Sequence, residues 1–180
     1  AHVPTAAEED ARRPTRERER LLKERIGHTN RIKGLLFGQG VRDLQPLGRS
    51  FLQDLDEART ADGRPLLPSL LGEIRREHQR LTLLAQQIAE LEAQARAATA
   101  SAMAGSSPAK VATLARLRGI GEISARPLVA EVFYRRFDNQ RQVGGYFGLD
   151  GSPYDSGESR KEQGISKAGN PRARTAMIEL

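Results

Sequence analysis

The clearest pattern along the chain lies between residues 66 and 97. Leu67, Leu70, Ile74, Glu77, Leu81, Leu84, Ile88, Leu91 and Ala95 follow one another in alternating steps of three and four, and all but Glu77 are apolar. This is the a/d spacing of a heptad and predicts a long helix. Pro68 falls in its first turn, where a missing N–H costs little. So narrow a stripe suits two arrangements: packing on the chain's own first helix, or one arm of a coiled coil. A weaker stripe, Leu21, Leu22, Ile26, Ile32, Leu35 and Leu36, predicts a helix over about 15–37. Turn signals at Gly38-Gln39-Gly40, Gln45-Pro46, Gly48 and Ala61-Asp62-Gly63-Arg64-Pro65 separate the two. They suggest an antiparallel hairpin with a shorter helix, 49–59, at its tip.

Gly105-Ser106-Ser107-Pro108 reads as a stop and restart, and the remainder is built differently. Residues 109–180 hold six of the eight aromatic residues and are rich in glycine. A short helix is expected over Asn139–Leu149, ending at Gly148, then a loop over Ser152–Gly157. Asn170 followed by Pro171 has the N-cap and first-position pattern of a last helix. Strands are conceivable within 133–165, but no alternation supports them. Pro14 and Pro127 sit where helices would prefer neither, and the helix carrying Pro127 is expected to start late or bend. The expected fold is all-α: a basic helix and coiled-coil region over 1–104, forming a long helical hairpin or coiled-coil arm, a linker at 105–108, and a compact helical domain over 109–180.

Residues 114–125, Leu-Ala-Arg-Leu-Arg-Gly-Ile-Gly-Glu-Ile-Ser-Ala, carry a helix-hairpin-helix pattern. An apolar pair at 114 and 117 precedes Gly119-Ile120-Gly121, and the small Ala125 follows. Two glycines allow positive φ and close approach to a ligand. Ile120 would pin the turn to the core, and the next helix would aim its free N–H groups outward at a phosphate, blind to base identity. Arg118 and Arg126 flank the turn. A plain packing motif is the plainer alternative.

Charge sharpens this picture. The 180 residues carry 29 Lys and Arg against 23 Asp and Glu, a net charge of +6. Between 12 and 33 there are nine bases and three acids, Glu17, Glu19 and Glu24. That face is either solvated through i,i+4 pairs or turned toward a polyanion. There is no cysteine and only three histidines, which excludes disulfides, thiolate catalysis and Cys-based zinc sites and leaves no metal cluster. No apolar run approaches the roughly 18 residues of a membrane helix and no signal-peptide pattern opens the chain, so a cytoplasmic protein with no membrane partner is expected. Ser156 lies beside glycine with Arg160, Lys161 and Lys167 downstream. Such a serine could attack a phosphodiester while cations steady the developing charge. On spacing alone this is weak, and no histidine or carboxylate dyad offers a base, although Asp155 and Glu158 flank the serine.

Leu-Arg-Gly-Ile-Gly (117–121), Ala125, Arg136-Phe137, Tyr146-Phe147-Gly148-Leu149, Ser156-Gly157 and Gly-Ile-Ser-Lys-Ala-Gly-Asn (164–170), in this order, resemble the C-terminal domain of insertion-sequence family 110 transposases, the group also named for elements 116 and 902. Residues 8–13, 16–19 and 30–36 resemble the segment that follows the nuclease-like domain in that family. The resemblance implies DNA transposition or site-specific recombination through a serine nucleophile, assigned to Ser156 with Ser159 as runner-up. It implies that Lys167, Asn170, Arg172 and Arg174 hold backbone phosphates. It also implies DNA as partner, a structured guide RNA, a homodimer or higher oligomer through the coiled coil, and a nucleoid-associated location. Magnesium is expected in the RuvC-like acidic domain of a full-length relative. That domain is expected to lie outside these residues, and Glu8, Glu9 and Asp10 are not promoted to metal ligands. Asp150-Gly151 stands where a Thr-Pro-like pair is expected. A fragment inactive by itself, a non-enzymatic coiled-coil nucleic-acid-binding module and a structural adaptor are the competing expectations.

Overall fold

The computed structural model describes residues 3–156 and 159–179. The chain divides into two compact units: Arg16–Gln94, and Ala1–Thr15 together with Ala95–Leu180. The division falls at 94/95, and the N-terminal segment joins the C-terminal unit.

The unit Arg16–Gln94 is built on α2 (Arg13–Phe37), α3 (Phe51–Glu57) and α4 (Pro68–Ala100). Pro14 lies in the first turn of α2, where there is no intrahelical bond to lose, so it is tolerated rather than disruptive. Ile32 and Leu36 of α2, Phe51 and Leu55 of α3, Leu66, and Ile74 and Leu81 of α4 form one buried cluster; Leu21, Leu84 and Ile88 form a second. Burial of each such side chain contributes about 2 kcal/mol. Cross-helix pairs run in opposite order along α2 and α4: Arg18 with Glu92 at 2.6 Å, His28 with Glu77 at 2.5 Å, Arg31 with Glu73 at 2.5 Å. The two helices are therefore antiparallel. The apolar stripe of α4 is covered from Ile74 to Ile88 by the chain's own α2, while Leu67 stays 72% exposed. Glu77, the polar break in the stripe, is met there by His28.

In the other unit α1 (Ala6–Asp10) opens with a capping box between Thr5 and Glu8. It is followed by α5 (Ser107–Leu114), α6 (Glu122–Glu131), α7 (Gln140–Phe147), a hairpin of β1 (Gly151–Ser156) and β2 (Ser159–Ile165), and α8 (Pro171–Ile178). Asn139 caps α7, which ends in a left-handed Gly148 at φ 65°. Of the loop expected over 152–157, the described residues 152–156 instead belong to an antiparallel strand, paired from Gly151↔Ile165 to Ser156↔Ser159 with an irregularity between Gly151 and Pro153. Helix still dominates, and this hairpin is the sheet among the described residues. Leu128, Val132, Phe147 and Ala173 form the main core, and Val111, Ala125 and Val129 a second cluster under the 115–121 turn. α6 begins at once after Gly121 and contains Pro127, so it does not start late.

Candidate nucleic-acid interface and serine site

The turn between α5 and α6 is held by Leu117 N–H to Leu114 O at 3.0 Å and Ile120 N–H to Leu117 O at 3.1 Å. Gly119 takes φ +91°, a conformation that favours glycine. Gly121 does not: at φ −86° and ψ 170° it is extended, so the expectation of two positive-φ glycines holds for one of them. Ile120 packs on the Val111, Ala125 and Val129 cluster. Leu114 joins it, whereas Leu117 turns outward, 55% exposed. No side chain caps α6, and its first helical bond, Ala125 N–H to Gly121 O at 2.9 Å, leaves the N–H groups of Glu122, Ile123 and Ser124 ahead of it without an intrahelical acceptor. Arg118 is exposed beside this end. Arg126 is engaged with Glu122 at 2.6 Å, so a phosphate must compete with that carboxylate for it.

The start of α8 differs. Asn170 Oδ1 accepts from Arg172 N–H at 3.0 Å and Ala173 N–H at 3.3 Å, and its Nδ2 donates to Tyr146 Oη at 3.0 Å and Glu131 Oε2 at 3.2 Å. Both ends of the side chain are thus used within the protein, and Asn170 works as a brace. Tyr146 Oη donates to the Glu131 carbonyl at 2.6 Å. Burial, then the contact with Tyr134, pushes its hydroxyl pKa above the usual tyrosine value, so it keeps its proton at neutral pH. Arg174 donates to Phe147 O at 3.1 Å. Arg172 and Lys167 are exposed.

Residues 164–170 lie against the end of α7. Ser166 N–H donates to Asp150 O at 2.8 Å, Lys167 N–H to Gly148 O at 3.0 Å and Asn170 N–H to Tyr146 O at 2.7 Å. The first two clamp the roots of β1 and β2 together. At the other end of the hairpin Ser156 closes β1 and its Cα partner is Ser159, so the two candidate serines face each other in register. Asp155 is partnered with Arg160 and Tyr154 with Lys161. Gly157 and Glu158 lie outside the described residues. The sequence did not reveal this register, nor the brace formed by Glu131, Tyr146 and Asn170; only the Asn170-Pro171 cap signal pointed toward it.

The acids of the N-terminal segment do not fit a magnesium site. Glu8 accepts from Thr5 N–H at 2.8 Å, Glu9 pairs with Arg12 at 3.2 Å and Asp10 with Arg13 at 3.4 Å. Among the described residues no group of three or more His, Asp and Glu side chains gathers, and no helix is long and apolar enough to cross a membrane.

Residues 111–180 match the Transposase IS116/IS110/IS902 family. A Sinorhizobium fredii protein named as transposase y4rJ is 49% identical over 98% of this chain and 46% of its own length. A Pseudomonas aeruginosa protein named as a family 20 transposase is 30% identical over 98% of this chain and 51% of its own length. Another S. fredii protein, named as transposase y4qE, is 43% identical over 72 residues. The chain thus spans about half the length of the first two relatives. No solved structure matches it.

Proposed function

Because the chain belongs to the IS116/IS110/IS902 transposase family, we propose that it forms the DNA-binding and strand-transferring part of a transposase, with Ser156 as nucleophile. The uncapped start of α6 behind the Gly119 turn is the observation that carries the DNA-binding half of this reading. Arg118 and Arg126 flank it, with Arg126 exchanging Glu122 for phosphate. Lys167, Arg172 and Arg174 hold further backbone phosphates near the hairpin, and Asn170 supports them by fixing the loop.

In the serine step Oγ of Ser156 attacks a backbone phosphorus. A Ser–O–P bond forms, the bond from phosphorus to one sugar oxygen breaks, and the proton lost by the serine ends on that leaving oxygen. The number of phosphodiester bonds is unchanged, so no energy source is required, and attack by a second DNA hydroxyl regenerates the serine. Cations near the serine offset charge on the phosphoryl oxygens. Magnesium belongs to the acidic domain expected of a longer relative, and no step here is routed through it. A structured guide RNA and a second copy of the chain are the further partners of this reading.

The test is a DNA titration at two salt concentrations, followed by denaturing electrophoresis for a protein–DNA adduct. Binding should fall steeply with salt, and removing Arg118 or Lys167 should each reduce the log–log slope by about 1. Ser156→Ala should abolish the adduct and leave binding intact. Binding without any adduct, from the unaltered chain and from a protein of its relatives' full length carrying these residues, would favour a non-enzymatic module; an adduct only from the longer protein would mark a part inactive by itself, and no binding at low salt would reject both.

A further inference from the structure

Among the described residues, three buried side-chain nitrogens have no hydrogen-bond partner: Nε and Nη2 of Arg12 and Nε of Arg135. The side chain of Arg12 is only 7% exposed. A guanidinium cannot shed its charge, so two idle buried donors oppose folding. What holds Arg12 is its stack over the Tyr134 ring, 3.7 Å from the centroid, and the Glu9 pair. Arg12 is also the one buried residue of the described segment 3–15, and α1 buries none of its own. The docking of this segment therefore hinges on a single charged residue rather than on an apolar anchor.

Tyr134 leads inward. Its hydroxyl lies 3.5 Å from that of Tyr146, whose ring is flanked by Arg135 at 5.0 Å. Tyr146 holds Asn170, and Asn170 ends the stretch whose amides at Ser166, Lys167 and Asn170 bind the end of α7 and the root of β1. We propose that Arg12 is a positioning residue for the serine hairpin: its stack on Tyr134 latches the N-terminal segment onto Tyr146 and Asn170, and through them fixes the root of β1 and β2. Its consequence for chemistry rests on the reading of Ser156 given above; its structural content does not.

The test is amide exchange at Ser166, Lys167 and Asn170 in the full chain and in three variants. Arg12→Ala should speed exchange at all three about tenfold while amides in 16–94 stay within about twofold. Arg12→Lys should not rescue, because an ammonium lacks the flat face that stacks on the ring. Tyr146→Phe should release Lys167 and Asn170 yet leave the amides of Glu9 and Ala11 as protected as before. Unchanged exchange at the three amides in Arg12→Ala overturns the proposal. So does rescue by lysine, or a loss of protection spread over α5 and α6, which would make Arg12 an ordinary packing residue. In an adduct assay Arg12→Ala should slow adduct formation at unchanged DNA affinity. Absence of adduct even from a protein of the relatives' full length carrying these residues would sink the Ser156 reading and leave the amide result standing.

Discussion

Gly169→Ala isolates the clamp between the 164–170 stretch and the end of α7. Gly169 has no unusual φ, so backbone strain is not involved. Space is the difficulty. An added Cβ would lie 2.6 Å from the Phe147 carbonyl carbon and closer still to Tyr146 O and Gly148 N, all backbone atoms that cannot rotate aside. The stretch must lift, and the first bonds to go are Lys167 N–H to Gly148 O and Asn170 N–H to Tyr146 O. Moving Asn170 also strips its side-chain bond to the half-buried Tyr146 hydroxyl. Three bonds at about 1 kcal/mol each give a loss of roughly 3 kcal/mol. The chain has two units, so a single unfolding midpoint would mix them. The assay is therefore denaturant unfolding followed by tyrosine signals, all of which come from 109–180. A loss below about 0.5 kcal/mol, the scatter expected for a neutral site, would refute the clamp.

Gly119→Ala should destabilise by about 1 kcal/mol through its positive φ, whereas Gly121→Ala should be nearly neutral; paired thermal melts decide this. Asn170→Ala should cost about 1–2 kcal/mol from the lost cap alone, and Asn170→Asp should recover the cap but not the bonds from Nδ2. The α2–α4 hairpin should weaken in acid through two groups. The bond from His28 holds the Glu77 carboxyl below its usual range, so its contribution is present above about pH 4.5 and is lost as pH falls through the lower folded value. Burial lowers the pKa of His78, which stacks on Phe51 at 5.0 Å, so the unfolded chain takes up its proton first and stability already declines below about pH 6.5. Melts of Glu77→Gln and His78→Gln across about pH 2–8 should each remove one part of that decline.

Elements with local signals were legible in the sequence. The heptad spacing marked α4, Asn139 and Gly148 bracketed α7, and Asn170-Pro171 announced α8. Each of these is decided within a few residues of chain. The partner of the α4 stripe was not decided locally: an a/d seam looks the same whether α2 or another chain covers it, and the pairs Arg18–Glu92, His28–Glu77 and Arg31–Glu73, with the shared buried clusters, are what assign it to α2. The β hairpin stayed hidden because Gly151-Ser152-Pro153-Tyr154-Asp155-Ser156 lacks alternation, and its roots are set by bonds from Ser166 and Lys167 that no spacing announces. At the candidate site the Gly119 turn was readable. The occupation of Arg126 by Glu122, and the use of Asn170 as a brace rather than a ligand, depend on contacts across the fold.

Lys167 is the non-glycine residue with positive φ, at 55°, among the described residues. A glycine there would relax the backbone by about 1 kcal/mol. The chain instead keeps an exposed ammonium at the mouth of the loop. Under the proposed DNA-binding role of Lys167, stability and grip on DNA pull this position in opposite directions. A library of substitutions at residue 167, selected once for heat resistance and once for DNA retention, should be ranked in reverse by the two selections, with glycine leading the first and lysine or arginine the second.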